Sequence, residues 1–142
     1  MEYDLEDQIH SYRAFRRYVE SYAPDCRTVV TLIRRRAALC PAAVAVVDEA
    51  SALSYEELDR QSDALAIRLR QNGVSTGKYV GIMLPRTKEY IVAILATLKA
   101  GCAYVPLDVS IPKSRLDAIM TNSAMCCIIM HSRGGHPCVM RN

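Results

Sequence analysis

The stretch 98-LKAGCAYVPLD-108 decides how the rest of the chain is read. An apolar run ends in Lys99-Ala100-Gly101, and a short extended segment then leads into Pro106 and Asp108. Lys99 falls in the last turn of an expected helix, where a cation suits the negative end of the dipole. Gly101 can take the positive φ that ends a helix at little cost. Cys102 to Val105 should then enter a sheet, and Pro106 should end the pairing because it has no N–H to donate. Asp108 falls just past that strand, on the side where ligands gather in open parallel sheets. Its plainer role is to hold a turn through its own backbone.

Upstream of this stretch, Tyr79 to Leu84 is a strand candidate, and Thr87 can cap a helix containing Tyr90, Ile91, Ile94, Leu95 and Leu98. Downstream, Pro112 can open a helix that buries Leu116, Ile119 and Met120, and Met125 to Met130 is expected as the last strand. Strands alternating with helices of about ten or more residues belong to a parallel sheet with right-handed crossovers. The class is α/β.

Further upstream, Thr28 can cap a helix through about Leu39, stopped at Cys40-Pro41. The run 43-AVAVVD-48 fits a buried strand, and Glu49-Ala50-Ser51 a turn. Ser54 and Glu57 fit a capping box, with Leu58, Leu65, Ile67 and Leu69 behind it and Asn72-Gly73 as the terminus. Leu5, Ile9, Tyr12, Phe15, Val19 and Tyr22 recur three or four apart, one face of an amphipathic helix that ends before Ala23-Pro24-Asp25.

At 142 residues, 51% hydrophobic and 23% charged, the chain can bury a real core. The net charge of +3 is mild, and no aromatic residues alternate with the arginines at 13, 16, 17 and 34–36. Those arginines therefore read as solvated helix faces rather than a nucleic-acid surface. The N-terminus is acidic without the apolar core of a secretory signal, and no apolar run nears the ~20 residues of a membrane-spanning helix. The expected location is cytoplasmic. The six cysteines, at 26, 40, 102, 126, 127 and 138, form no CxxC pair and read as reduced core residues. A strand would point Cys126 and Cys127 to opposite faces. His131, His136 and Cys138 lie near them in sequence, but the spacing of paired zinc ligands is absent.

Several motifs tempt and fail. Gly73-Val-Ser-Thr-Gly77-Lys78 is one residue short of a phosphate loop, has Tyr79 in place of the magnesium-binding hydroxyl, and precedes a strand instead of following one. Arg133-Gly134-Gly135-His136 opens no helix, and the histidines at 10, 131 and 136 build no Ser/His/acid set. Glu56 and Glu57 are explained by capping. No catalytic, cofactor-binding or metal residue is assigned.

The segments 53-LSYEEL-58 and 98-LKAGCAYVPLD-108 resemble the first two signatures of adenylation domains of nonribosomal peptide synthetases, in the AMP-binding, adenylate-forming superfamily. The stretch 80-VGIMLPRTKEYIVAILATLKAG-101 is similar to the strand and helix leading into the second signature, and 108-DVSIPKSRLDAIMTNS-123 to the Asp-x-x-x-Pro-x-x-Arg stretch after it. The likeness runs from about Thr28 to Met130. It implies the N-terminal part of the large domain of such enzymes, a mostly parallel sheet with flanking helices, incomplete. It divides the chain into an N-terminal helix or linker (1–24), a partial adenylation domain (25–130) and an atypical tail (131–142), in which no further apolar strand is expected.

The resemblance implies ATP- and magnesium-dependent activation of a carboxylate as acyl-AMP, then transfer to a phosphopantetheine thiol on a carrier protein. The family's phosphate loop, substrate pocket and C-terminal Lys come later than Asn142, so the fragment is expected to bind no cofactor and to be inactive alone. The family positions present are architectural: Leu53, Ser54, Tyr55, Glu57, Leu58, Leu98, Lys99, Ala100, Gly101, Ala103, Tyr104, Pro106 and Asp108. The expected partners are the remainder of an adenylation domain and a carrier protein, with neither nucleic acid nor membrane. A D-alanine–carrier protein ligase relative, also suggested by 108-DVSIP-112, and a non-catalytic interaction remnant are the alternatives.

Overall fold

A computed structural model describes residues 28–132 and 137–141. The helix expected over Leu5–Tyr22 lies outside the described residues, as does Arg133–His136. Helix α1 (Val29–Leu39) starts where Thr28 and Thr31 cap each other reciprocally and stops at Cys40, before Pro41. Strands β1 (Val44–Val47) and β2 (Ala52–Ser54) form a separate antiparallel ribbon. β1 was expected to be buried, yet Val44 and Val47 are 61% and 71% exposed. A two-stranded ribbon has one face to bury, and only Ala45 and Val46 of β1 pack on the core. An all-apolar run does not reveal which case applies.

The reciprocal capping of Ser54 and Glu57, at 3.2 and 2.8 Å, opens α2 (Tyr55–Gln71). Then follow β3 (Tyr79–Met83), α3 (Lys88–Lys99), β4 (Ala103–Pro106), α4 (Lys113–Asn122), β5 (Met125–His131) and β6 (Pro137–Arg141). The main sheet has the order β4-β3-β5-β6. β3 is parallel to both β4 and β5, whereas β6 closes the edge antiparallel to β5. β5 is therefore not the last strand. The expected α/β class and mostly parallel sheet are observed.

Central β3 carries the two cores. Val80 and Ile82 point into the larger one, with Leu58, Leu65 and Leu69 of α2 and Val92, Ala93, Leu95 and Ala96 of α3. On the other face Leu107, Met125 and Ile128 meet α4, whose Leu116, Ile119 and Met120 are only half-buried. α4 buries no residue fully, contrary to expectation. Gly81 is where the sheet needs a missing side chain: a Cβ there would lie 2.6 Å from Met125 Sδ and 2.9 Å from Leu107 Cδ1.

Two expectations about backbone parity fail. Cys126 and Cys127 do not point apart, because Tyr79 pairs with Met125 and Val80 with Cys127, leaving Cys126 as a bulge. Both cysteines pack toward the larger core, with their sulfurs 4.0 Å apart. Pro106 does not end the pairing either. Ala103 and Leu107 donate to Lys78 and Ile82 of the β3 side at 3.0 and 2.9 Å, so even-numbered Pro106 faces the open edge where no N–H is needed.

Candidate functional site

Two constructions hold the motif residues. The first joins α2 to α3. The side chain of Lys99, at the end of α3, is 2% exposed, and its ammonium has three protons to place. It donates to Asp59 Oδ1 at 2.6 Å, to the Asp59 carbonyl at 2.9 Å and approaches Asp63 Oδ1 at 2.8 Å. Arg34 of α1 reaches the same Asp63 oxygen at 3.2 Å, so one carboxylate links three helices. Burial pushes the Asp63 carboxyl up, but the hydrogen bonds from Lys99 and Arg34 outweigh it and hold the group below its ordinary value. The dipole argument located Lys99 and missed its partners. The available signal was the i, i+4 spacing of Asp59 and Asp63, which puts both on one face of α2.

Leu53 and Leu58 are buried in the larger core, and Ala100 is the C-cap of α3. Gly101 follows at φ 76°, its carbonyl accepting from Gly77 N–H at 2.8 Å. A Cβ on Gly101 would meet Thr76 at 2.9 Å. The Gly73–Lys78 segment is thus a structural link between α2 and β3, with positive φ at both glycines. Tyr55 opens α2 and lies under the Arg36 guanidinium, 5.8 Å from the ring centre. Leu98 is half-buried, while Ala103 and Tyr104 are exposed on the edge strand β4.

The second construction is a groove of about 990 Å³ beyond the C-terminal ends of β3 and β4, where ligands lie in open α/β sheets. Its walls come from β1 and from the β3–α3 and β4–α4 links, and Asp48, Arg86 and Asp108 are its charged residues. Both carboxylates already serve the backbone. Asp48 Oδ1 accepts from Ala50 and Ser51 N–H at 3.0 Å, and its Oδ2 accepts from Lys88 N–H, also at 3.0 Å. Asp48 therefore caps α3. Thr87, the residue expected in that role, occupies the N-cap position without a side-chain capping bond. Lys88 Nζ also contacts Ser51 Oγ.

Asp108 Oδ1 accepts from the Ser110 hydroxyl at 2.6 Å and from Ser110 N–H at 2.8 Å, the turn-holding role. The N–H of Lys88 is the main cause holding the Asp48 carboxyl low, and the Ser110 hydroxyl that for Asp108. Among the described residues the groove is lined by no histidine, cysteine or serine; its hydroxyls are those of Thr87 and Tyr90. Two of its three charges act as structural fasteners. Nor is any described helix long and apolar enough to cross a membrane.

Comparison with known proteins adds the family. The model described as AMP-binding enzyme matches residues 33–140. Cyclosporin synthetase simA of Tolypocladium inflatum is 47% identical over 94 residues, 66% of this chain and 1% of that protein. Tyrocidine synthase 1 of Brevibacillus parabrevis is 41% identical over 97 residues, 68% of this chain and 9% of that protein. The chain thus spans a small part of the relatives it matches. Among solved structures, a fatty acid AMP ligase from Legionella pneumophila superposes with a TM-score of 0.68 at 27% identity, covering 78% of this chain and 20% of that one. The N-terminal subdomain of Klebsiella oxytoca NpsA, in complex with 3-hydroxybenzoyl-AMSN, gives 0.66 at 25% identity, with 73% and 26% covered. With 33–140 matched on an α/β sheet shared with these enzymes, the chain belongs to the AMP-binding enzyme family and represents part of its AMP-binding region.

Proposed function

We propose that the chain is the N-terminal scaffold of an amino-acid adenylation domain of a nonribosomal peptide synthetase. The match of the AMP-binding model over 33–140 carries this reading. The peptide-synthetase branch is supported by relatives among the peptide synthetases at 47% and 41% identity over about two thirds of the chain. The whole domain would use ATP and magnesium to convert an amino-acid carboxylate to acyl-AMP, then pass it to the phosphopantetheine thiol of a carrier protein. Two anions must meet in that step, so cationic groups on the phosphoryl oxygens are needed. This chain's part is architectural: Lys99 locks α2 to α3, and Asp48 and Asp108 shape the loops at the strand ends. The carrier and the remaining domain are its partners in this reading, and the cytoplasm its location.

A chimera tests it. The matching segment of tyrocidine synthase 1 is replaced by that of this chain, and amino-acid-dependent exchange of pyrophosphate into ATP is measured. Exchange within about tenfold of the parent is expected, the loss tolerated for misplacements at a scaffold of ~1 kcal/mol. A chimera that melts cooperatively like the parent yet shows no exchange overturns the reading. The 142-residue chain alone should give no heat of binding with Mg-ATP.

A further inference from the structure

Cys126 and Cys127 form a pair of thiols near the start of β5, at the end of the sheet opposite the groove. The bulge makes the pair. With Tyr79 opposite Met125 and Val80 opposite Cys127, the ladder skips Cys126, and both side chains turn toward the larger core. In a regular strand the sulfurs would lie on opposite faces; here they are 4.0 Å apart. Cys126 is half-buried and donates to the Tyr79 carbonyl at 3.3 Å, whereas Cys127 is fully buried. One sulfur is within reach of solvent, and the other stands behind it. Cys102, near Cys126, donates instead to the Ser75 carbonyl at 3.3 Å. Among the described residues, no group of three histidines, cysteines or carboxylates converges to hold a metal ion.

Magnitudes separate the chemistries open to two such sulfurs. A disulfide needs them about 2.05 Å apart, and adjacent Cα atoms, about 3.8 Å apart, fall below the usual range of about 4.4–6.8 Å, so that ring is strained. A structural zinc ion takes about four ligands, more than are gathered here. A monovalent soft ion accepts two thiolates but leaves a net negative charge against the larger core. Burial, with Cys126 nearby, already pushes the Cys127 thiol up to about 12, so that charge is opposed. A trivalent arsenic centre leaves no charge. Two sulfur bonds of about 2.3 Å at a pyramidal angle of about 100° span about 3.5 Å, so the pair has to close by only about half an ångström.

We propose that the Cys126–Cys127 pair is a binding site for monosubstituted trivalent arsenicals, which bridge the two sulfurs. With the hydrated form R–As(OH)2, two As–O bonds break and two As–S bonds form. Both thiol protons leave with the hydroxides as two waters, and arsenic stays trivalent. Cys126, the more accessible thiol, reacts first, and Cys127 then closes the ring intramolecularly. This site does not depend on the adenylation reading.

The test uses the 142-residue chain and phenylarsine oxide. Labelling with N-ethylmaleimide in urea, followed by peptide mass spectrometry, locates the thiols that arsenic protects. Protection of Cys126 and Cys127 together is expected, reversed by a small dithiol and retained in excess monothiol. Loss of either sulfur forfeits the intramolecular second bond, so Cys126→Ser and Cys127→Ala should each weaken binding at least about a hundredfold. Cys126→Ser changes a half-buried residue and should melt like the parent, which keeps the test decisive if Cys127→Ala misfolds. Capture should also proceed at an unchanged rate in urea too dilute to unfold the chain. No protection, protection of a different pair, undiminished binding in Cys126→Ser, release by a monothiol, or a capture rate that follows the unfolded fraction would each overturn the proposal.

Discussion

Lys99 concentrates more of the fold than any other polar residue described, because its buried ammonium satisfies its donors on α2 while ending α3. Lys99→Met keeps the stem but leaves Asp59 and Asp63 facing it. Removing one partner of a buried pair costs about 3–5 kcal/mol; with Asp63 43% exposed we expect about 2–3 kcal/mol in urea unfolding. The carboxyl of Asp63 shares in the acid dependence with those of Asp48 and Asp108, which are also held low. The folded-state pKa of Asp63 lies below the ordinary 3.8, so its stabilisation is complete above that value and is lost as pH falls through the folded one. Stability should therefore drop on acidification below about pH 4, and Asp63→Asn should flatten that drop. An unchanged acid slope in Asp63→Asn would refute the assignment. Thiols offer a separate probe. Burial, with Cys126 nearby, pushes the Cys127 thiol up to about 12. Alkylation of Cys127 at pH 8 should wait for unfolding, so its rate should rise with urea in step with the unfolded fraction.

At the level of elements, the start of α3 distinguishes what local sequence reveals from what it hides. Thr87→Ala should leave the melting temperature within about 1 °C, because the hydroxyl makes no capping bond. Asp48→Ala should lower it by about 5 °C, since the same carboxylate caps α3 and holds the β1–β2 turn. Equal effects would contradict the capping assignment. The reciprocal caps at Ser54/Glu57 and Asp108's turn were legible because both partners lie within three residues. Asp48 with Lys88, and Lys99 with Asp59, are each forty residues apart, and no local pattern links them. The bulge at Cys126 was hidden for a similar reason: its existence depends on β3, not on the Cys-Cys sequence. β6 pairs with β5 across a glycine-containing link that opens no helix, and it escaped because its five residues alternate only weakly. The groove's lining comes from β1, the start of α3 and the β3–α3 and β4–α4 links, and is visible only once the sheet order is known.

For the whole molecule, the sheet is covered unequally. Among the described residues, two helices, α2 and α3, lie on one face, with α1 behind them, whereas the other has α4. Five of the six methionines gather on that thinner side: Met83, Met120, Met125 and Met130 in or against the smaller core, and Met140 opposite Ile128 on β6. Directly paired residues on antiparallel strands share a face, so Met140, 53% exposed, extends this surface to the sheet edge. Thioether side chains adapt to many partners, and a broad exposed apolar patch favours association. The isolated chain should therefore self-associate at micromolar concentration and bind an apolar dye. Met140→Glu places a charge on the exposed part of that face without touching a buried contact. It should shift the sedimentation profile toward monomer and weaken dye binding severalfold while leaving the melt within about 2 °C, as expected for a surface substitution. A chain that sediments as a monomer and binds no dye would show that this face is covered and refute the prediction.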